Sequence, residues 1–162
     1  MKKRLLLFSL FFLLLFAFSC QKNEIIKEEI SCDGGNFCFN LNGSNLTIPL
    51  ARWRFITPNQ IRIEWQDLSG TKYQQVVVDV YGSSTGIFTI QAFGSAQTGS
   101  KFQYFTTDSL ISKTIRGTKG SVEITVFDSE SISGKFSMQA QDILSGENYT
   151  ISEGRFQGVL KQ

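Results

Sequence analysis

The chain has 162 residues, with 16 Lys or Arg, 14 Asp or Glu and no histidine. Without an imidazole, catalytic triads and dyads built on histidine are excluded, and a zinc site lacks one of its usual ligands. No Lys/Arg cluster follows the N-terminal segment, which argues against nucleic acid as a partner. We therefore expect a non-enzymatic protein with no metal, no cofactor and no nucleic-acid partner.

The N-terminus has the layout of a bacterial export signal. Basic residues at positions 2–4 precede an apolar run over 5–18, and the small Ser19 precedes Cys20. A membrane-spanning helix needs about 20 apolar residues, so this shorter run fits the apolar part of a signal peptide better. The pattern predicts a signal peptide over 1–19. An ordinary secretory signal with an incidental Cys20 and an uncleaved anchor are the alternatives.

The segment Ala17-Phe18-Ser19-Cys20 resembles the lipobox of bacterial lipoproteins, and Gln21 to Glu24 resembles the export signal of Bacteroidota surface lipoproteins. The resemblance implies that the Cys20 thiol is lipidated. The charged composition of residues 21–30 predicts that residues 20–31 form a flexible tether. The resemblance places the protein at the outer membrane, facing either the cell surface or the periplasm. Since one acyl chain gives about 0.8 kcal/mol per buried CH₂, stable anchoring requires two or more chains.

Two further cysteines, Cys32 and Cys38, lie close together around Gly34-Gly35. An exported protein folds in an oxidising compartment, and the two glycines allow a tight turn. We therefore expect a disulfide, which would stabilise the fold by about 2 kcal/mol through a short closed loop. Two thiols alone do not make a metal site.

From residue 37 onward, apolar and polar residues alternate with period two, which is typical of β-strands. Short turn signals separate these runs, so neighbouring strands should be antiparallel. We predict one all-β domain over 32–162, an antiparallel sandwich or small barrel of eight to ten strands, with a lipocalin-like or calycin-like barrel as one form. The predicted turns are centred on Pro58, Ser69-Gly70, Gly82-Ser83, Gly99, Thr118-Lys119-Gly120, Ser129 and Gly146.

The stretch 82–120 is less regular and is rich in Gly, Ser and Thr. Adaptable loops that carry aromatic rings are common binding surfaces. The alternative is that these rings alternate into the core like the other apolar residues. The candidate ligand-binding residues are Phe88, Phe93, Phe102, Tyr104 and Phe105.

The C-terminal part has a second resemblance. Gly134-Lys135-Phe136-Ser137, the turn at Ser145-Gly146-Glu147 and the strand from Tyr149 to Phe156 resemble the ending of small Bacteroidota lipoproteins. The resemblance implies an exported β-domain and supplies no catalytic residue. We also expect glycines within these strands to mark bulges or close backbone contacts.

Paired carboxylates are the remaining route to catalysis, since a glycosidase needs two of them about 5 to 9 Å apart. Asp79 is notable because it lies within the apolar Val77-Val78-Asp79-Val80, where burial would raise its pKa. The alternative is an outward-facing Asp79 on a half-exposed strand. The six carboxylates considered are Glu64, Asp67, Asp79, Glu123, Asp128 and Asp142.

Besides a hydrolase that uses paired carboxylates, two functions of different classes compete. The first is a lipid-anchored module that binds a small apolar ligand, a glycan or a peptide at the cell envelope. The second is an interaction subunit of an envelope complex without a ligand pocket. A wide interior lined by Phe and Trp would favour the first. A filled core with an exposed aromatic patch or an open edge strand would favour the second.

Overall fold

The structure, a computed structural model, describes Cys32 and residues 34–69, 72–93, 99–108 and 111–162. Within these ranges, no helix is long and apolar enough to span a bilayer. The strands of the described part are β1 (Phe37–Leu41), β2 (Ser44–Ile48), β3 (Arg52–Thr57), β4 (Gln60–Asp67), β5 (Lys72–Val80), β6 (Gly86–Gln91), β7 (Lys101–Asp108), β8 (Ile111–Phe127), β9 (Ser131–Asp142) and β10 (Asn148–Lys161).

Strands β3, β4, β5, β7, β8, β9 and β10 close into a seven-stranded barrel. Successive strands of this ring are antiparallel. Because an odd number of alternating strands leaves the first and last running the same way, the closing pair of β3 and β10 is parallel, at Leu160–Arg52 and Lys161–Trp53. The all-β prediction is confirmed, and the architecture is a small barrel.

The strands are staggered around the ring. Leu160 pairs directly with Ser131 of β9. The successive partners can also be traced around the ring in the other direction, from Leu160 to Arg52 and on through β4, β5, β7 and β8. This path reaches β9 at Gln141 and not at Ser131. Such a stagger tilts the strands against the barrel axis and sets the barrel width.

Two elements extend the ring. The β1–β2 hairpin pairs with residues 151–156 of β10. It shares this edge of β10 with β3, which pairs with Leu160 and Lys161 near the end of the strand. Strand β6 pairs with residues 119–124 of β8, beyond the stretch that pairs with β7. Strands β2 and β6 are therefore the two ends of the sheet.

Side chains fill the interior. The Phe39 ring lies 5.8 Å from the Phe102 ring and 5.8 Å from the Tyr104 ring, and the Phe37 ring lies 5.2 Å from that of Phe136. Stacked and edge-to-face rings at such distances pack as in a protein core. The largest fully buried side chains are Trp53, Phe37, Phe39, Phe102, Phe156, Ile61, Ile63, Ile90, Ile115, Ile124, Ile132 and Ile151.

The cysteine predictions have different outcomes. The Cys32–Cys38 disulfide is confirmed, with the two Cα atoms 5.4 Å apart. Cys20, the predicted signal peptide (1–19) and the predicted tether (20–31) lie outside the described residues. Their assignment stays a prediction.

The predicted turn at Thr118-Lys119-Gly120 is wrong, because β8 runs unbroken through it. Gly120 serves close packing instead of a turn. A Cβ atom there would lie 2.3 Å from the Ser137 carbonyl oxygen and 2.4 Å from the Met138 Cβ atom. A glycine inside a strand thus marks close approach of the neighbouring strand, as it does at Gly154 beside the Phe136 ring.

Candidate functional site: the β2 corner

The β1–β2 hairpin turns at Asn42-Gly43. Both residues have positive φ, 48° and 89°, as a two-residue hairpin turn of the favoured primed type requires. Leu41 and Ser44 pair directly on either side of the turn. The Gly43 N–H also donates to the Asn40 side-chain oxygen at 2.6 Å. Local sequence thus fixes the hairpin register.

The register leaves one edge of β2 open. The Asn42 N–H donates to the Thr150 carbonyl of β10, so even-numbered residues of β1 face β10 and odd-numbered ones face β2. Their partners on β2 are residues 44, 46 and 48. Asn45 and Thr47 therefore direct their backbone N–H and C=O groups outward, and β2 pairs with no strand of the described chain besides β1.

This edge is short and ends just before Pro49, but it carries no charge that would oppose pairing. Natural edge strands carry charges, especially Lys, or bulges that prevent another strand from adding. Residues 34–51, which include the whole hairpin, contain no Lys, Arg, Asp or Glu. The side chains of Asn45 and Thr47 are exposed. The outward backbone groups of Asn45 and Thr47 therefore meet no charged side chain of the hairpin.

Strand β6 is the other open end of the sheet, but it is partly covered. The Gln91 N–H donates to the Ser100 carbonyl, and the Ser100 N–H donates to the Thr89 carbonyl. Ile87 remains open and is 72% exposed. Strand β2 thus offers the longer uninterrupted edge.

A groove lies beside β2 because β3 starts late. Arg52 is the first residue of β3 and pairs with Glu64, so the next residue of β4, Trp65, has no partner on β3. Ile48 of β2 and Trp65 line one narrow gap. We call this region the β2 corner: the β2 edge and a neighbouring surface groove of about 240 Å³. The groove is lined by Leu50, Arg52, Glu64, Trp65, Gln66, Gln75 and Gln162.

The five aromatic residues predicted to bind ligand do not converge. Phe102 and Tyr104 lie in the core, where burial raises the pKa of the Tyr104 hydroxyl. Phe88 is partly buried and packs against the core. Phe105 lies on the outer face against the Tyr73 ring at 5.2 Å.

Phe93 is the most exposed of the five, at 39%. The Lys101 ammonium lies 5.3 Å and the Arg116 guanidinium 4.5 Å from its ring centroid. Such contacts are worth about 0.5–1 kcal/mol each at exposed sites. They hold the ring on the outer surface, away from the β2 corner.

Asp79 faces outward and is paired. Its two carboxylate oxygens accept hydrogen bonds from Arg62 at 2.7 and 2.9 Å, which raises the pKa of Arg62. Glu64 accepts from Arg54 at 2.6 Å. Their geometry is that of ion pairs across neighbouring strands, a structural role.

The remaining carboxylates also have structural partners. Asp67 accepts from the Ser69 N–H at 2.8 Å, and Asp128 from the Ser131 N–H at 2.6 Å. Glu123 pairs with Lys135 at 3.2 Å.

Asp142 is a buried carboxylate that sequence reasoning did not single out for a role. It is 2% exposed. Burial raises the pKa of its carboxyl, but hydrogen bonds from the Thr114 and Leu144 N–H groups and from the Ser145 hydroxyl outweigh this, and the net pKa is lowered. The donor distances are 3.0, 3.3 and 2.8 Å. Asp142 thereby ties the β9–β10 turn to β8.

Comparisons with protein-family models, curated proteins and solved structures give no match. The function is therefore argued from the geometry of the β2 corner.

Proposed function

We propose that this protein is a lipid-anchored envelope protein whose barrel joins other chains by strand addition at the β2 edge. The observation that carries the proposal is the uncharged, unpaired edge at Asn45 and Thr47. The filled interior also favours an interaction subunit over a carrier of a small apolar ligand, because Phe39, Phe102 and Tyr104 occupy the space such a ligand would need.

The simplest partner for this edge is β2 of a second copy. In an antiparallel arrangement about a two-fold axis at Leu46, Asn45 of each copy lies opposite Thr47 of the other. The N–H and C=O groups of both residues then find partners, and the two Leu46 side chains meet on one face. An edge with this symmetry suits a two-fold dimer, in which both copies use the same surface. No like charges oppose the pairing.

A lipid anchor strengthens weak pairing of this kind. Hydrogen bonds each add a net of only about 0.5–1.5 kcal/mol, so strand addition over two residues is modest in solution. Acylation of Cys20 would confine the copies to one membrane surface and raise their effective concentration. We propose the outer membrane as the site, on its outer or its periplasmic side.

A register-specific cross-link tests the proposal. Leu46→Cys in the full chain, produced in bacterial envelopes and oxidised there, should give a disulfide-linked dimer, since residue 46 meets its own copy. Ser44→Cys is the matched control, because Ser44 would lie opposite Ile48 of the second copy. Equal cross-linking of both variants, or none for Leu46→Cys, would contradict pairing at this register.

The anchor is tested separately. Cys20→Ala should move the protein from the membrane fraction to the soluble fraction of lysed cells, since the acylated thiol is lost. Retention of the variant in membranes would exclude the lipoprotein assignment and would leave the cross-linking result standing.

A further inference from the structure

A belt of charged side chains crosses the outer wall of the barrel on β3, β4, β5, β7 and β8. We infer that this belt binds an acidic polysaccharide whose carboxylates are widely spaced along the chain. The belt uses outward-facing side chains of these five strands, and it does not use the backbone edge at Asn45 and Thr47. It is thus independent of the proposed strand addition.

The strand register builds the belt from residues that are far apart in sequence. Two adjacent rows of directly opposed residues run across the strands. The first row consists of Arg52, Glu64, Val77, Gln103 and Arg116. The second row consists of Arg54, Arg62, Asp79 and Lys101. The residues between the two rows point into the core and are Trp53, Ile63, Val78 and Phe102. Because side chains alternate along a strand, both rows face outward.

The two carboxylates of the belt lie in its middle and are already paired. Glu64 accepts a hydrogen bond from Arg54 at 2.6 Å. Both carboxylate oxygens of Asp79 accept from Arg62. No carboxylate of the described chain forms an ion pair with the remaining three cations, which are Arg52, Lys101 and Arg116. The belt therefore keeps a positive charge that a ligand can use.

These three cations form two groups at opposite ends of the belt. Arg52 and Arg116 lie in the same row four strands apart, which is roughly 19 Å along the wall. Lys101 joins Arg116, because both cations contact the ring of Phe93, at 5.3 and 4.5 Å from its centroid. Phe93 is 39% exposed. A sugar ring can pack its C–H face on such a ring while its carboxylate pairs with either cation.

The distribution of charge selects the class of ligand. A nucleic acid strand carries one phosphate about every 3.4 Å, so several phosphates would lie against Glu64 and Asp79 in the middle of the belt. A flat anionic bilayer cannot contact five strands of a curved wall at once. A polymer whose carboxylates are separated by uncharged, hydroxyl-bearing rings can reach the cations at both ends. Its hydroxyls then cover the middle, where they do not repel the two carboxylates.

Affinity electrophoresis of the full chain in a neutral detergent tests the belt. Hyaluronan, which carries one carboxylate on every second ring, is the acidic probe, and dextran is the uncharged probe. We expect retardation by hyaluronan alone, and we expect it to weaken as the salt concentration rises, because salt screens exposed charges. Arg116→Gln should lower the affinity for hyaluronan about tenfold, since it removes a charged donor beside Phe93.

Two further variants show whether the whole belt is used. Arg52→Gln removes the cation at the other end and should also weaken binding several-fold. Because Arg52 has no ion-pair partner in the described chain, the melting temperature of this variant should match that of the parent chain. Arg155→Gln is the matched control, since it removes the same charge from a half-buried arginine of β10 outside the belt and should bind like the parent chain.

Four results would overturn the inference: no retardation by hyaluronan, equal retardation by dextran, equal losses for Arg155→Gln and Arg116→Gln, or tighter binding of a single-stranded oligonucleotide than of hyaluronan. These variants leave Leu46 unchanged, so failure here and failure of the cross-link are distinguishable.

Discussion

The two tryptophans show how the closed wall of the barrel, where each strand is paired on both sides, differs from the β2 corner. Both follow the inward-facing alternation of neighbouring strands. Trp53 is 1% exposed, with the Phe55 and Phe127 rings 5.3 and 5.5 Å away. Trp65 lies one residue beyond the partner of Arg52 and stays half-buried. The continuity of the strand ladder, more than the residue type, decides whether a ring becomes core or surface.

The largest expected effect is a difference in the free energy of unfolding between variants of these two tryptophans. Trp53→Ala should lower the free energy of unfolding by about 3–5 kcal/mol, because it empties a fully packed site. Trp65→Ala should cost at most about half as much, since part of its ring already contacts water. Urea titration of both variants gives the two values. Equal losses would break the distinction between wall and corner.

The Cys32–Cys38 disulfide tests the contribution of the region next to the β2 corner, because it links the start of β1 to the segment that precedes the hairpin. Cys32→Ser should lower the free energy of unfolding by about 2 kcal/mol, the expected effect of opening a short loop. Cys38→Ser should have a similar effect, since it removes the same bond. Thermal melts with and without reductant provide the measurement, and a reductant-insensitive melting temperature of the parent chain would contradict this role.

Asp142 makes the stability of the closed barrel dependent on pH. Its pKa is lowered in the folded state, so its contribution is complete above the unfolded pKa of about 4 and is lost as pH falls through the folded value. Asp142→Asn should cost roughly 1–3 kcal/mol at pH 7, because the hydrogen bonds then lose a charged, buried acceptor.

Unfolding measured from pH 7 down to pH 2 tests the sign of this effect. The difference between the parent chain and Asp142→Asn should shrink toward acid pH. A difference that stays constant or grows would mean that the carboxylate charge does not stabilise the fold.

Much of the fold could be predicted from sequence because its signals are local. Alternation placed Ile61 and Ile63 inside, and the glycines between Cys32 and Cys38 indicated the bridge. Gly120 of β8 was misleading, since it resembles a turn residue until the neighbouring strand is known.

The β2 corner could not be predicted from local sequence patterns. Which strand stays unpaired depends on the order of the whole sheet, and Arg52, the first residue of β3, pairs with Leu160 at the far end of the chain. Likewise, the partners of Asp142 include Thr114, which is 28 residues away in sequence. Such long-range pairings are set by packing and leave no short motif.

The most direct test of strand addition at β2 is sedimentation equilibrium of the full chain in density-matched detergent, compared with Thr47→Lys. Thr47 is exposed, and a Lys on this edge protects it as charges protect natural edge strands. We predict a concentration-dependent dimer for the parent chain and a monomer with the same melting temperature for Thr47→Lys. A parent chain that stays monomeric at every concentration, or a Thr47→Lys variant that dimerises equally, would contradict the account.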